Sequence, residues 1–262
     1  MSSLVVLHDV QKMFLQGNPL GQMTEEQQKA IATFVEDRCY SDSSDLLVTV
    51  DKIYYKDIMS NVADNIHCAV SSMFDFSENV QGVLQDITVE HCMQDFDAED
   101  YLDEYDEDDE EDDEDTEESF YDCGDDEEIL LDGDDDSYSA VRQCIEDYES
   151  EVRDAFLDDY TNSDLTGFCV FEKDCSDWSN KLLEMPNPRI TGGYSHIFCD
   201  SYDTIEIVGT KMDTEMFTLI EVLKKKFNCD NIIIHKDLCS CTDCEGYSAI
   251  IKNLQSCGVT VS

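Results

Sequence analysis

Two short motifs in the last third of the chain have the residue types and spacing of a metal-centred hydrolytic site. Asp213-Thr214-Glu215 stands at the start of an expected helix, and Cys241-Thr242-Asp243-Cys244 follows an expected strand. Two thiolates and one oxygen or nitrogen ligand hold zinc and leave a fourth position open for water. The metal lowers the pKa of that water, and a nearby carboxylate that is not a ligand can move its proton. Asp213, Cys241 and Cys244 are therefore the candidate zinc ligands, with Cys239 or His235 as substitutes for the third, and Glu215 is the candidate catalytic residue. Plainer readings use the same residues. Asp213 can be an N-cap accepting backbone N–H bonds, with Glu215 favourable toward the helix dipole. Cys239, Cys241 and Cys244 can also form a purely structural zinc site with His235.

The elements that must position these residues follow from apolar periodicity. Strands are expected over 195–199 and 204–208, a helix over 213–227, a strand over 231–235, a helix over 246–255 and a last strand over 259–261. Met216, Leu219, Ile220 and Leu223 supply one face of the first helix, and Lys224, Lys225 and Lys226 sit at its C-terminus, where the dipole favours cations.

This order, with a ligand opening one helix and Cys-x-x-Cys before the next, resembles the zinc-dependent cytidine and deoxycytidylate deaminase superfamily over residues 190–262. Asp213-Thr214-Glu215-Met216 is similar to that family's His-x-Glu helix start, with Asp213 where the family has His. Ser240 rather than Pro precedes Cys241, and Ile207-Val208-Gly209-Thr210 stands where the family has an Asn that contacts the sugar. The resemblance implies a three-layer α/β unit that binds zinc. Its function would be hydrolytic deamination of a free nucleoside or nucleotide, or a catalytically degenerate form of that activity.

The remainder of the chain divides in two. Residues 1–94 read as a small, mainly helical domain. Val5, Val6, Val10, Met13 and Phe14 mark an amphipathic helix, Thr24 and Gln27 form a capping box, 46–50 reads as a short strand or turn, and 58–73 as a helix. His8, His67 and His91 stand alone and read as surface or capping residues. Residues 95–136 contain no Lys, Arg or His and include an unbroken Asp/Glu block over 106–115. Such a tract is expected to be extended and disordered. Residues 137–262 then form the α/β domain, so the overall class is α+β with an acidic insert between a helical domain and a deaminase-like one.

Composition sets limits on partners. The formal net charge is −47 over 262 residues. That opposes binding to a phosphate backbone, which depends on Lys and Arg, and favours basic partners. The alternative function is thus an acidic interaction protein whose tract mimics nucleic acid and binds histones or other basic proteins. The 13 cysteines, an odd number, and the lack of a secretory signal pattern point to free thiols in an intracellular compartment, cytoplasmic or nuclear. No stretch has the roughly 20 apolar residues that a membrane span needs.

Overall fold

A computed structural model of the chain describes residues 2–18, 20–41, 44–53, 75–94, 96, 135–186, 199, 201–241 and 246–262. Its centre is a run of four apolar residues, Leu4-Val5-Val6-Leu7, none of which is exposed to solvent. They form β1 (Ser3–His8), an internal strand with parallel neighbours on both sides: β2 (Asp45–Asp51) and β4 (Thr204–Gly209). With β3 (Cys169–Lys173), β5 (Ile232–Cys239) and β6 (Thr260–Val261) they make one six-stranded parallel sheet in the order β3-β2-β1-β4-β5-β6.

Helices cover both faces, as an all-parallel sheet requires. On one face Val5, Leu7, Val48 and Val208 pack with Ile31 and Val35 of α1 (Glu25–Glu36), Val80 and Leu84 of α2 (Glu78–Met93) and Phe156 of α3 (Asp135–Asp158). Between α3 and β3 lies the single turn α4 (Ser163–Thr166). On the other face Leu4, Val6, Ile205 and Ile207 pack with Trp178 and Leu182 of α5 (Trp178–Glu184), Leu219 and Leu223 of α6 (Met216–Phe227) and Leu254 of α7 (Tyr247–Ser256). The expected capping box opens α1, with Thr24 Oγ1 accepting from the Gln27 N–H and Gln27 Oε1 accepting from the Thr24 N–H.

This architecture corrects the expected fold class. The chain does not have a helical N-terminal domain beside a self-contained C-terminal unit. Residues 3–8 and 45–51 are strands of the same sheet as residues 204–261. The N-terminal misreading has a clear cause. A strand buried on both faces carries a continuous apolar run rather than an alternation, and periodicity alone does not separate that from a helix. The expected helix over 58–73, the expected strand over 195–199 apart from its last residue, and nearly all of the acidic tract lie outside the described residues. Phe96, at the start of that tract, stacks on Tyr148 of α3 with ring centroids 4.3 Å apart. Among the described residues no helix is long and apolar enough to cross a membrane.

The strand order reverses direction between β1 and β4, and at that point the two strands close tightly. Gly209, with φ of 132°, ends β4 opposite His8, and a Cβ placed there would lie 2.0 Å from the His8 carbonyl oxygen. A β-bulge between Ile207 and Gly209 then shifts the pairing with β5. Gly209→Ala is expected to destabilise the protein by about 3 kcal/mol or more, since both the backbone angle and the contact resist a side chain. Urea unfolding of the variant against wild type measures this; a loss under about 1 kcal/mol would show that the β1–β4 closure relaxes easily.

Candidate functional site

Parallel strands bring their carboxyl ends to one edge of the sheet, and in open α/β sheets the crevice beside the order reversal is the usual ligand position. Here that edge is occupied by ionisable groups. β1 ends in His8 and is followed by Asp9, β2 carries Thr49 and ends in Asp51, and β3 ends in Lys173. Thr210 and Lys211 follow β4, and Glu215 occupies the N-cap position of α6. Asp9 and Lys211 have left-handed backbones, with φ of 51° and 59°. Strain of this kind in non-glycine residues gathers at sites where side-chain placement matters.

The groups are held by one another. Lys173 Nζ bonds both Asp9 Oδ2 and Glu215 Oε2. Lys211 Nζ bonds Asp51 Oδ2 and lies 2.9 Å from Asp9 Oδ2 and 2.8 Å from Glu215 Oε1. Thr49 Oγ1 donates to Asp9 Oδ1 at 3.1 Å, and the Thr210 hydroxyl donates to the Asp9 carbonyl at 2.8 Å. Each ammonium also rests over an aromatic ring 5.2 Å from its centroid, Lys173 over Trp178 and Lys211 over Phe14. The side chains of His8, Asp9, Asp51 and Lys173 are fully buried, that of Lys211 is 5% exposed and that of Glu215 is 20% exposed. Glu215 is therefore the carboxylate through which the cluster meets solvent.

Burial and neighbouring charge set the protonation states. Burial would raise the pKa of Asp9, but His8, Lys173 and Lys211 beside it overcome that and hold the carboxyl well below its usual range. The same competition lowers the pKa of Glu215, with burial outweighed chiefly by Lys173. Burial would lower the pKa of Lys211, but Asp9, Glu215 and Asp51 raise it. His8 falls to about 4, through burial first and the two ammonium groups second, against the pull of Asp9 and Glu215. At neutral pH His8 is uncharged, so three carboxylates face two ammonium groups. Its tautomer follows from its partners. The Thr49 hydroxyl gives its proton to Asp9, so it accepts from His8 Nδ1–H at 2.7 Å. His8 Nε2 is then a bare lone pair, buried without a hydrogen-bond partner among the described residues and 3.8 Å from Glu215 Oε2.

Of the residues expected from sequence, Glu215 belongs to this cluster. Asp213 lies half-buried in the turn before α6, Cys241 is buried beyond the end of β5, and Cys244 lies outside the described residues. Cys239 is buried, its thiol donating to the Ile207 carbonyl, and burial pushes its pKa up to about 12. His235 bonds Glu206 at 2.6 Å on the sheet. Among the described residues, a group whose ligand atoms come within 4.8 Å of one another is His8, Asp9 and Glu215, and neither Asp213 nor Cys241 is part of it. Sequence reasoning missed His8, Asp9, Asp51, Lys173 and Lys211. The available signal was positional: Leu4-Val5-Val6-Leu7-His8-Asp9 and Leu46-Leu47-Val48-Thr49-Val50-Asp51 are two apolar runs that each end in an acid.

Comparison with protein-family models finds no match, and neither does comparison with curated protein sequences. Comparison with solved structures finds loose likenesses. They include a pyrazinamidase/nicotinamidase from Streptococcus mutans (13% identity, all of both chains covered, TM-score 0.45). Another is an isochorismatase family protein from Desulfovibrio vulgaris (11% identity, 99% of this chain and 93% of that one, TM-score 0.43). A third is a pyrazinamidase from Pyrococcus horikoshii in complex with zinc (8% identity, 100% of this chain and 99% of that one, TM-score 0.41). The chain's own topology corrects the deaminase-like expectation. β4 pairs with β1, and Glu215 is bound by Lys173 and faces His8, so neither the sheet nor the site is contained in residues 190–262.

The cluster ties stability to pH. Asp9 and Glu215 have folded pKa values below their unfolded ones, so their contribution is present above the unfolded carboxylate range and is lost as pH falls through the folded values. His8 acts in the same direction. Between pH 6.5 and about 4 the unfolded chain takes up a proton that the folded chain does not, so stability falls as pH falls across that window. The loss from His8 should reach about 3 kcal/mol. Denaturant titrations from pH 8 to 4 should show this slope, and His8→Gln should flatten the part between 6.5 and 4. An unchanged slope in the variant would place the acid sensitivity elsewhere.

Proposed function

We propose that the strand-end cluster is a hydrolytic site for a small uncharged or cationic amide or ester. Glu215 is the group that meets the substrate and its water. The observation that carries this reading is the convergence of Asp9, Asp51, Lys173, Lys211 and Glu215 from four separate segments at the order reversal of a parallel sheet, with Glu215 partly open to solvent. Burying ions costs several kcal/mol each unless they pair well, and well-packed apolar residues often serve stability as well or better. A cluster of this kind with perturbed pKa values is thus a candidate reaction centre. Two ammonium groups and the N-terminus of α6 supply positive potential where a carbonyl oxygen would gain charge. The surplus carboxylate disfavours anionic substrates.

The nucleophile in this reading is water. The hydroxyls of Thr49 and Thr210 are engaged with Asp9, and Cys239 is turned to the Ile207 carbonyl. Glu215 orients the water, and the bare Nε2 of His8 stands behind it to accept a proton. Both are weak bases, so turnover is expected to be slow. The step is drawn through the protein's own groups, and the zinc expected from sequence is not needed for it. An ion held by His8, Asp9 and Glu215 would have to displace Lys173 from the same carboxylate oxygens and sit beside a second ammonium. The deaminase function and the acidic interaction alternative are both set aside. The first loses its self-contained C-terminal unit. The second assumed two folded ends presenting the tract, whereas the strands before and after it share one sheet.

A second reading rests on a specific observation. Each ammonium already bridges at least two carboxylates, which also describes a structural clamp on the strand ends. Ammonia release from a panel of aromatic and aliphatic primary carboxamides separates the two. The hydrolytic reading expects slow release that is unaffected by EDTA and falls at least about 100-fold in Glu215→Gln with the fold intact. No release by wild type, or undiminished release by the variant, would leave the clamp.

A further inference from the structure

A cavity of about 470 Å³ opens beside the end of β5, next to the cluster but not part of it. Its walls include Gln22, Gln27, Lys236, Asp237 and Ser240. The volume is in the range of small-ligand pockets. The polarity of the walls can be worked out group by group. Gln27 Oε1 accepts from the Thr24 N–H at 3.0 Å, and Gln22 Oε1 accepts from the Lys211 N–H at 3.1 Å. Both oxygens are thus used by backbone donors, which fixes each amide and leaves its NH2 group as the part available to a ligand.

Ser240 adds a third donor. Its backbone N–H is anchored to the Gly209 carbonyl at 2.9 Å, while its hydroxyl is buried without a hydrogen-bond partner among the described residues. The residue as a whole is only 6% exposed. A buried hydroxyl left unpaired costs free energy, and a ligand that accepts from it recovers that cost. Lys236, on the exposed part of β5, brings a cation to the rim, with the Asp237 carboxylate beside it. Gln16 and Tyr247 also line the cavity; beside them, three neutral donors and an ammonium against one rim carboxylate make a surface for an acceptor-rich group.

We propose that this cavity is a binding site for a small carboxylate-bearing molecule. The carboxylate accepts from the Gln22 and Gln27 amides and the Ser240 hydroxyl, with Lys236 as counter-charge. The chain's large negative charge does not forbid this, because exposed charges farther than roughly 8 Å are screened at 0.15 M salt. The site stands independently of the hydrolytic reading, since it uses none of the groups of the ion cluster.

Benzoate and its neutral isostere benzamide, titrated calorimetrically into the full chain at 0.15 M salt, test it. Benzoate is expected to bind saturably and benzamide at least roughly tenfold more weakly, as charge-assisted hydrogen bonds are stronger than neutral ones. Ser240→Ala and Lys236→Met should each weaken benzoate by roughly tenfold. Ser240→Ala should at the same time leave the unliganded protein as stable as wild type or more so, because its hydroxyl has no partner to lose. Glu215→Gln should bind benzoate as wild type does, which keeps this result separate from the fate of the ion cluster. The assignment is overturned if benzoate does not bind, if benzamide binds equally well, or if both cavity variants bind benzoate unchanged.

Discussion

Asp9 is held by two ammonium groups at once while being fully buried, and much of the architecture is a condition for that arrangement. Three carboxylates and two ammonium groups in a protein interior are tolerable only if each charge meets its opposite at close range. That requires strand ends at one level. The register supplies it: His8 lies opposite both Thr49 and Gly209, and Asp51 lies opposite Lys173. A slip of one residue in any of these ladders would send its side chains to the other face. The apolar cores on the two faces of the sheet therefore fix the register, and the register assembles the charges. Gly209 belongs to the same condition, because only a residue without Cβ lets β4 close on His8 so that Lys211 can turn back toward Asp9 and Asp51.

The sequence made some of this legible and left the rest hidden for identifiable reasons. The later elements could be read, because α6 and α7 are amphipathic and β4 and β5 are short apolar runs bounded by polar turns. The capping box of α1 could be read because it depends on residues three apart. β1 could not. Its apolar run is too short for periodicity to tell a doubly buried strand from a helix, and that one ambiguity moved the whole N-terminal third out of the sheet. The site suffered more. Asp9 and Lys173 are separated by 164 residues, and Asp51 and Lys211 by 160. No local pattern announces such pairs, whereas Asp213-x-Glu215 and Cys241-x-x-Cys244 are local and can be read directly from the sequence.

Glu215 shows how one residue can satisfy two different stories. A carboxylate at a helix N-terminus near a strand end suits a proton shuttle beside a zinc-bound water, and it equally suits an ion pair. What separates the two is the identity of the partners. Lys173 and Lys211 bond the two oxygens of Glu215, and they arrive from β3 and from the turn after β4. Their ammonium groups place positive charge beside Glu215, one on each oxygen, and each oxygen keeps a second lone pair for a further donor.

The remaining asymmetry lies in what the cluster leaves unmatched. With His8 neutral, the cluster carries one more negative charge than positive, and the Nε2 lone pair of His8 lies close to Glu215 Oε2. Two electron-rich groups 3.8 Å apart favour something between them that can give a proton to either. Water meets that need, and so does a protonated or neutral donor on a ligand; an anion does not. The cavity at β5 has the opposite polarity, with the Gln22 and Gln27 amides turned so that their oxygens accept from backbone and with a hydroxyl left to donate. Gln22 lies between the two, lining the cavity with its side chain and accepting from the backbone of Lys211. The donor-rich cavity and the acceptor-surplus cluster therefore abut at one residue whose backbone is strained and whose ammonium group anchors three carboxylates. A ligand with an anionic end in the cavity and a hydrogen-bond donor toward Glu215 would satisfy both sets of unmatched groups, whereas a uniformly charged ligand would satisfy only one.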